Sequence, residues 1–246
     1  MSKLSLSQRD QRRIDDLVNS FEKQDAIPLF LKQLKAALAD SKKLAEHTHS
    51  IRSRVKNPDH LRDKLARKLR QSKEKKEKFP ITKKNLLTKI NDLAGLRILH
   101  LYTRQIVNID KILKEIFDEQ RYKLVEGPFA RTWDDESRGF FKECDIETQD
   151  SPSLYTSVHY VVESGARAKV TCEIQVRTLM EEVWGEVDHA INYPHRTGNL
   201  ACAEQLKVLA RVTSSATRLV DSIFRCNENS GKNLANSKKQ KQKNCS

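Results

Sequence analysis

The sequence predicts an α+β protein, with a mixed sheet of about four or five strands packed with helices and extended by helices at both ends. Three observations point there. Apolar residues recur at helical spacing near the N-terminus (Leu29, Phe30, Leu34, Leu38) and again over 201–226 (Leu206, Leu209, Val212, Leu219, Ile223). Between them lie short β-rich runs, LRILHLY (96–102), LYTSVHYVVE (154–163) and KVTCEIQVR (169–177). Strand-rich and helix-rich stretches are mixed without a regular βαβ alternation, which suits a sheet covered by helices rather than a doubly wound fold.

Residues 1–49 read as an N-terminal helical extension, with Pro28 near a helix start. Residues 50–89 are strongly basic, and Pro58 suits the first turn of a helix running to about residue 72, followed by KEKKEKFP as a loop. The run 96–102 is apolar enough for a central strand. A helix near 105–119 and a strand near 121–126 follow. Residues 127–153, with Gly127, Pro128, Gly139 and Pro152, predict an irregular excursion. Tyr155–Glu163 and Lys169–Arg177 joined by SGARA read as a hairpin, and the helix after Thr178 ends at Tyr193–Pro194. Residues 195–228 form a C-terminal helix. The stretch 229–246 has no acid, five lysines and little to bury, which predicts a disordered basic tail.

Composition narrows the function. The chain has 246 residues, a net charge of +13 and a mean hydropathy of −0.69. That charge points to anionic partners such as nucleotides, RNA or an acidic surface. No segment approaches the roughly 18 apolar residues of a membrane span. The polar start MSKLSLSQRDQRR lacks an apolar signal core, and five cysteines without CxxC spacing read as free thiols; together they predict a cytoplasmic protein.

No GxxxxGK or GxGxxG occurs, so phosphate binding falls to side chains. In SRVKNPDHLRDKLARK (53–68), Arg54 and Lys56 alternate on an extended lead-in, and Lys64, Arg67 and Lys68 recur at helical spacing. Such cations suit polyphosphates through charge-assisted hydrogen bonds, although a solvated or RNA-facing basic helix has the same pattern. Asp92 precedes a strand that carries Arg97. On the hairpin, Tyr155, Ser157 and His159 alternate onto one face, and so do Glu173, Gln175 and Arg177. That polar density is costly if buried without partners. Asp92 and Glu173, two carboxylates beside many cations, suit Mg²⁺ with a polyphosphate. The helix that follows, with Leu179, Val183, Val187 and Ile191 at four-residue steps, reads as the brace behind the polar row.

NDLAGLRI, YTSVHYVV and CEIQVRTLMEEVWGEVDHAINY, spaced this way after SRVKNPDHLRDKL, resemble the synthetase domain of the RelA/SpoT alarmone enzymes over about residues 50–194. The flanks are similar to those of the small synthetases without a hydrolase. The resemblance implies a nucleotidyltransferase-like mixed sheet and transfer of the β,γ-pyrophosphate of ATP to the 3′-hydroxyl of GDP or GTP. It implies that Asp92 and Glu173 hold Mg²⁺ and that Glu173 helps deprotonate the acceptor hydroxyl. Arg54 and Arg97 would sandwich the adenine, with Lys56 and Lys64 on the ATP phosphates. Tyr155 would stack on the acceptor base, and His159, Gln175, Arg177, Asp188 and His189 would line or support the acceptor side. A homo-oligomer is a further implication.

Two departures stand out. His60 replaces a family serine, and Pro152-Ser153-Leu154 replaces the usual Lys-x-Asn-Gly, so the lysine expected on the acceptor phosphates is absent from that segment. The acceptor therefore stays open among GDP, GTP, an adenosine nucleotide and a tRNA 3′ end, with a catalytically degenerate RNA- or ribosome-binding module as a third reading.

Overall fold

The computed structural model describes residues 5–192 and 196–243, with side chains described to residue 230. The N-terminal extension is α1 (Gln8–Glu22), α2 (Ala26–Ala39) and a short α3 (Lys42–Ala45). Ser7 caps α1 in a reciprocal box with Asp10. Then come β1 (Ser50–Val55) and α4 (Pro58–Glu74), where Asn57 accepts from the Asp59 and His60 amides and Pro58 opens the helix. After α5 (Leu86–Lys89), β2 (Ala94–His100) leads through a 3-10 turn into α6 (Ile106–Glu119). The chain continues as β3 (Lys123–Thr132), α7 (Asp135–Glu143), β4 (Glu147–Asp150), β5 (Ser157–Glu163), β6 (Thr171–Thr178), α8 (Leu179–Asn192) and α9 (Leu200–Lys243).

Among the described residues the strands form one six-stranded mixed sheet in the order β1-β2-β6-β5-β3-β4. Parallel pairing joins β2 to β6 and β3 to β4, and the other neighbours are antiparallel. One face of the inner strands carries Leu96, Ile98, Ile174, Val176, Val158 and Tyr160, all buried in the main core with α2 and α6. The opposite face carries the polar residues of the site. The α1 helix packs on α4 through Ile14, Leu17, Val18 and Phe21, and its acids meet part of the basic segment: Asp15 with Arg62 at 3.2 Å, and Asp10 with Lys73. Several cations of 50–89 thus dock this helix instead of binding a ligand. No helix among the described residues is long and apolar enough to cross a membrane.

Several expectations change. The lead-in with Arg52 and Arg54 is an edge strand, which tolerates charge because its outer side meets water. Residues 127–153 are ordered into the rest of β3, α7 and β4. The β3–β5 register shifts around Gly127, whose φ is +87° and where a Cβ would lie 2.3 Å from the His159 carbonyl oxygen; glycine lets the irregular strand keep pairing. The apolar stripe of α8 faces outward, with Val183 52 %, Val187 39 % and Ile191 41 % exposed, while Glu181, Glu182 and Trp184 are buried. Likewise α9 buries the expected Leu206 but exposes Val212, Leu219 and Ile223, and encloses Ala210, Thr213, Ser214 and Thr217 instead. Part of the surface beneath these helices is polar. Ser214 donates to Asp134 at 2.7 Å, and Thr178 and Thr217 share a hydrogen bond of 3.4 Å. Helical backbone continues through 229–243, where composition predicts a disordered tail; that stretch has no proline and only Gly231 to weaken a helix. Tyr193, Pro194 and residues 244–246 lie outside the described residues.

Candidate active site

Strand register builds the polar face row by row. Arg54 on β1 sits opposite Gly95 on β2, which sits opposite Glu173 on β6. In the next row Arg52 faces Arg97, Arg97 faces Gln175, and Gln175 faces His159 on β5. Period-two alternation therefore turns arginines, an amide, a carboxylate and an imidazole to one side while the intervening apolar residues enter the core. A cleft of about 250 Å³ opens over these rows, and its walls include Arg54, Asp92, Arg97, Glu173, Gln175 and Glu186.

One end of the cleft carries the carboxylates and lysines. Asp92, in the turn before β2, receives Lys56 Nζ at Oδ2 (2.8 Å), while Lys64 Nζ lies 2.8 Å from Oδ1. Burial pushes the Asp92 pKa up, but the Lys64 and Lys56 charges outweigh it and the net direction is down. Each carboxylate oxygen of Asp92 thus faces one ammonium group. Glu173 is held by His159 Nδ1 at 3.1 Å and by the Gln175 amide at 3.2 Å. Its burial likewise works upward, and the His159 hydrogen bond leads the effects that bring the net pKa below its ordinary value. Behind it His159 is buried, bonded to Ser157 Oγ at 2.6 Å and stacked on Phe129 with ring centroids 5.4 Å apart. Both carboxylates are anionic at neutral pH.

The other end carries arginines tied to α8. Arg97 pairs with Glu182 at 3.2 Å and with Glu186, and Arg52 lies 3.7 Å from Glu182. The buried Arg177 pairs with Glu182, donates to the Tyr155 hydroxyl at 2.8 Å and lies over the Tyr155 ring at 5.3 Å. Trp184 flanks the same ring at 6.0 Å. Gly185 is what lets α8 cross this guanidinium, since a Cβ there would lie 2.8 Å from Arg177 Nη1. Thr178 Oγ1 accepts from the Glu181 amide at 3.3 Å, starting α8 directly off the strand end.

The fold brings Asp92, Arg54, Arg97, Glu173, Gln175 and His189 to the cleft wall, with Lys56 and Lys64 on Asp92. His159 and Arg177 are buried and brace that wall through hydrogen bonds, and the partly exposed Tyr155 adjoins it through Gln175. Tyr155 lies before β5 and donates to Gln175 at 3.3 Å. Asp188 is half-buried and accepts from Asn192 at 2.8 Å. Sequence reasoning passed over Arg52, Glu182, Gly185 and Glu186. The available signal was the Glu182/Glu186 pair at i,i+4 directly after a strand bearing Arg177, which reads locally as a solvated acidic face.

A family model described as a region found in RelA / SpoT proteins matches residues 53–198. The GTP pyrophosphokinase YwaC of Bacillus subtilis (strain 168) is 28 % identical over 153 residues, covering 60 % of this chain and 58 % of that protein. The GTP pyrophosphokinase YjbM of the same organism is 30 % identical over 137 residues, covering 53 % and 54 %. The chain thus spans a little over half the length of the curated relatives it matches. A small alarmone synthetase 1 from Bacillus subtilis, solved with its product pppGpp, superposes with a TM-score of 0.52 at 20 % identity, covering 81 % of this chain and 91 % of that one. A GTP pyrophosphokinase family protein from Streptococcus pneumoniae reaches a TM-score of 0.59 at 18 % identity, covering 92 % and 97 %. These two structures share the fold.

Proposed function

The chain belongs to the RelA/SpoT family, and from that premise we propose that it is a pyrophosphotransferase moving the β,γ-pyrophosphate of ATP to the 3′-hydroxyl of a guanosine nucleotide. The observation that carries this reading is the convergence of Asp92 and Glu173, with Lys56 and Lys64, at one end of an otherwise arginine-walled cleft. Polyphosphate belongs at the lysine end, and the planar guanidiniums of Arg54 and Arg97, in neighbouring rows of the cleft wall, offer stacking surfaces for a base.

Asp92 and Glu173 fit a hard divalent cation such as Mg²⁺. Both are anionic oxygen donors on the wall of one cleft, the donor type this cation takes. When bound, Mg²⁺ supplies charge neutralisation for the triphosphate. Glu173, oriented by His159 and Gln175, takes the proton of the acceptor 3′-hydroxyl. The freed oxygen forms a bond to the β-phosphorus, the α–β bridging bond breaks, and AMP departs with its electron pair. Lys56 and Lys64 then exchange part of their hold on Asp92 for the phosphate oxygens. Tyr155, braced by Arg177 and Gln175, supports the acceptor side.

Incubation with γ-labelled ATP, Mg²⁺ and GDP, GTP, ATP or tRNA tests the reading. Label should appear on a guanosine nucleotide with matching AMP release. Label on tRNA alone would move the acceptor to RNA, and no labelled acceptor with no AMP would overturn the proposal. Glu173→Gln should lower turnover by roughly 10²–10⁴-fold with an unchanged far-UV spectrum.

A further inference from the structure

One buried carboxylate ties the cleft-wall Arg97 to the Arg177–Tyr155 pair beside it. Glu182 directs Oε1 at Arg97 (3.2 Å) and at Arg52 (3.7 Å), and directs Oε2 at Arg177. Arg177 in turn donates to the Tyr155 hydroxyl at 2.8 Å and covers its ring, and Tyr155 donates to Gln175 at 3.3 Å. The links are enclosed: Glu182 and Arg177 side chains are 8 % and 4 % exposed. Removing one member of a buried ion pair leaves the other charge uncompensated, so the three groups adopt their positions together. Glu186, half-exposed on the rim, holds the Arg97 edge from the open side.

The carboxylates grip Arg97 at its N–H edge and leave the guanidinium plane available. A base stacked on that plane would immobilise Arg97, and so fix Glu182, Arg177 and Tyr155. We propose that Glu182 is a positioning residue that couples the two nucleotide subsites: occupation of the donor subsite at Arg97 tightens the acceptor subsite braced by Tyr155, and the converse. Coupling of binding free energies is reciprocal, and an effect of roughly 5-fold or more is the ordinary size. The inference rests on the proposed pyrophosphotransferase reading, which sets the donor base against Arg97 and the acceptor beside Tyr155.

The test is calorimetric titration of GDP into the full chain, with and without a saturating non-hydrolysable ATP analogue and Mg²⁺. In the wild type the analogue should strengthen GDP binding by about 5-fold or more, and GDP should strengthen analogue binding by the same factor. Glu182→Gln should still bind each nucleotide alone but lose the enhancement. Tyr155→Phe, which keeps the ring and removes the hydroxyl that links Arg177 and Gln175, should lose most of it too, and it decides the matter if Glu182→Gln does not fold. Wild-type binding of both nucleotides without enhancement would overturn the coupling and leave the transferase reading standing, as would enhancement that survives in both variants. A wild type that binds neither nucleotide and transfers no label would overturn the transferase reading, and the coupling with it.

Discussion

Glu181→Gln should make the protein more stable, and only at neutral to alkaline pH. Glu181 is 5 % exposed, beside the segment that carries Tyr155, and accepts from the Thr156 amide at 3.1 Å. Burial pushes its pKa from 4.5 to about 7; the Thr156 hydrogen bond and Arg177 oppose the rise, and Asp134 adds to it. Between those two values the folded chain keeps a proton that the unfolded chain has released, so stability falls as pH rises through the window and levels off above about 7. At about 1.4 kcal/mol per pH unit, the lift from 4.5 to about 7 corresponds to ~3 kcal/mol of stability lost at alkaline pH. Glutamine keeps an acceptor for the Thr156 amide and carries no charge, but it adds two donors that need partners, so a gain of about 1–3 kcal/mol is expected. For a chain this long that is roughly 2–4 °C in Tm per kcal/mol. Thermal melts of both proteins at half-unit steps from about pH 5 to 8.5 read the difference directly. The gap should be near zero at the acid end and open as pH rises. A gap that does not change with pH, or a variant less stable than wild type at the alkaline end, would refute the reasoning.

Gly185→Ala would bring a Cβ to 2.8 Å from the enclosed Arg177 guanidinium; it should cost about 1–3 kcal/mol in denaturant titrations and raise the KM for the acceptor more than that for ATP. Ser214→Ala removes the 2.7 Å bond to the buried Asp134, leaving that carboxylate with the Glu136 amide at 3.0 Å and Arg218 at 3.2 Å, and should cost about 1–3 kcal/mol by the same titration. Leu17→Ala should loosen the N-terminal extension by about 2–5 kcal/mol, because Leu17 is 3 % exposed in the core. Asp15→Ala, which cuts only a surface pair with Arg62, should cost under about 1 kcal/mol, so equal effects of the two would contradict a docking held by apolar packing.

Much of this was legible in the chain itself. Alternation over 172–177 assigned Glu173, Gln175 and Arg177 to one face regardless of what lay above it, because the strand period is fixed at two. Pro58 marked the start of α4, and the lack of glycine loops left phosphate recognition to lysine and arginine side chains. The family motifs placed Asp92 and Glu173 as a pair, and the cleft contains both. Which polar residues line the cleft and which stand behind it could not be read locally: His159 and Arg177 alternate as lining residues do, yet both are buried and support the wall from behind. The orientation of α8 was equally out of reach. Its stripe of Val183, Val187 and Ile191 is the face that helical periodicity assigns to a core. Tertiary structure reversed that choice because the enclosed Arg177 and the cleft-wall Arg97, distant in sequence from each other, arrive together on the sheet and share Glu182 as their counter-charge. Periodicity reports what one helix could bury, and only the assembled sheet decides whether charge or hydrocarbon lies beneath it.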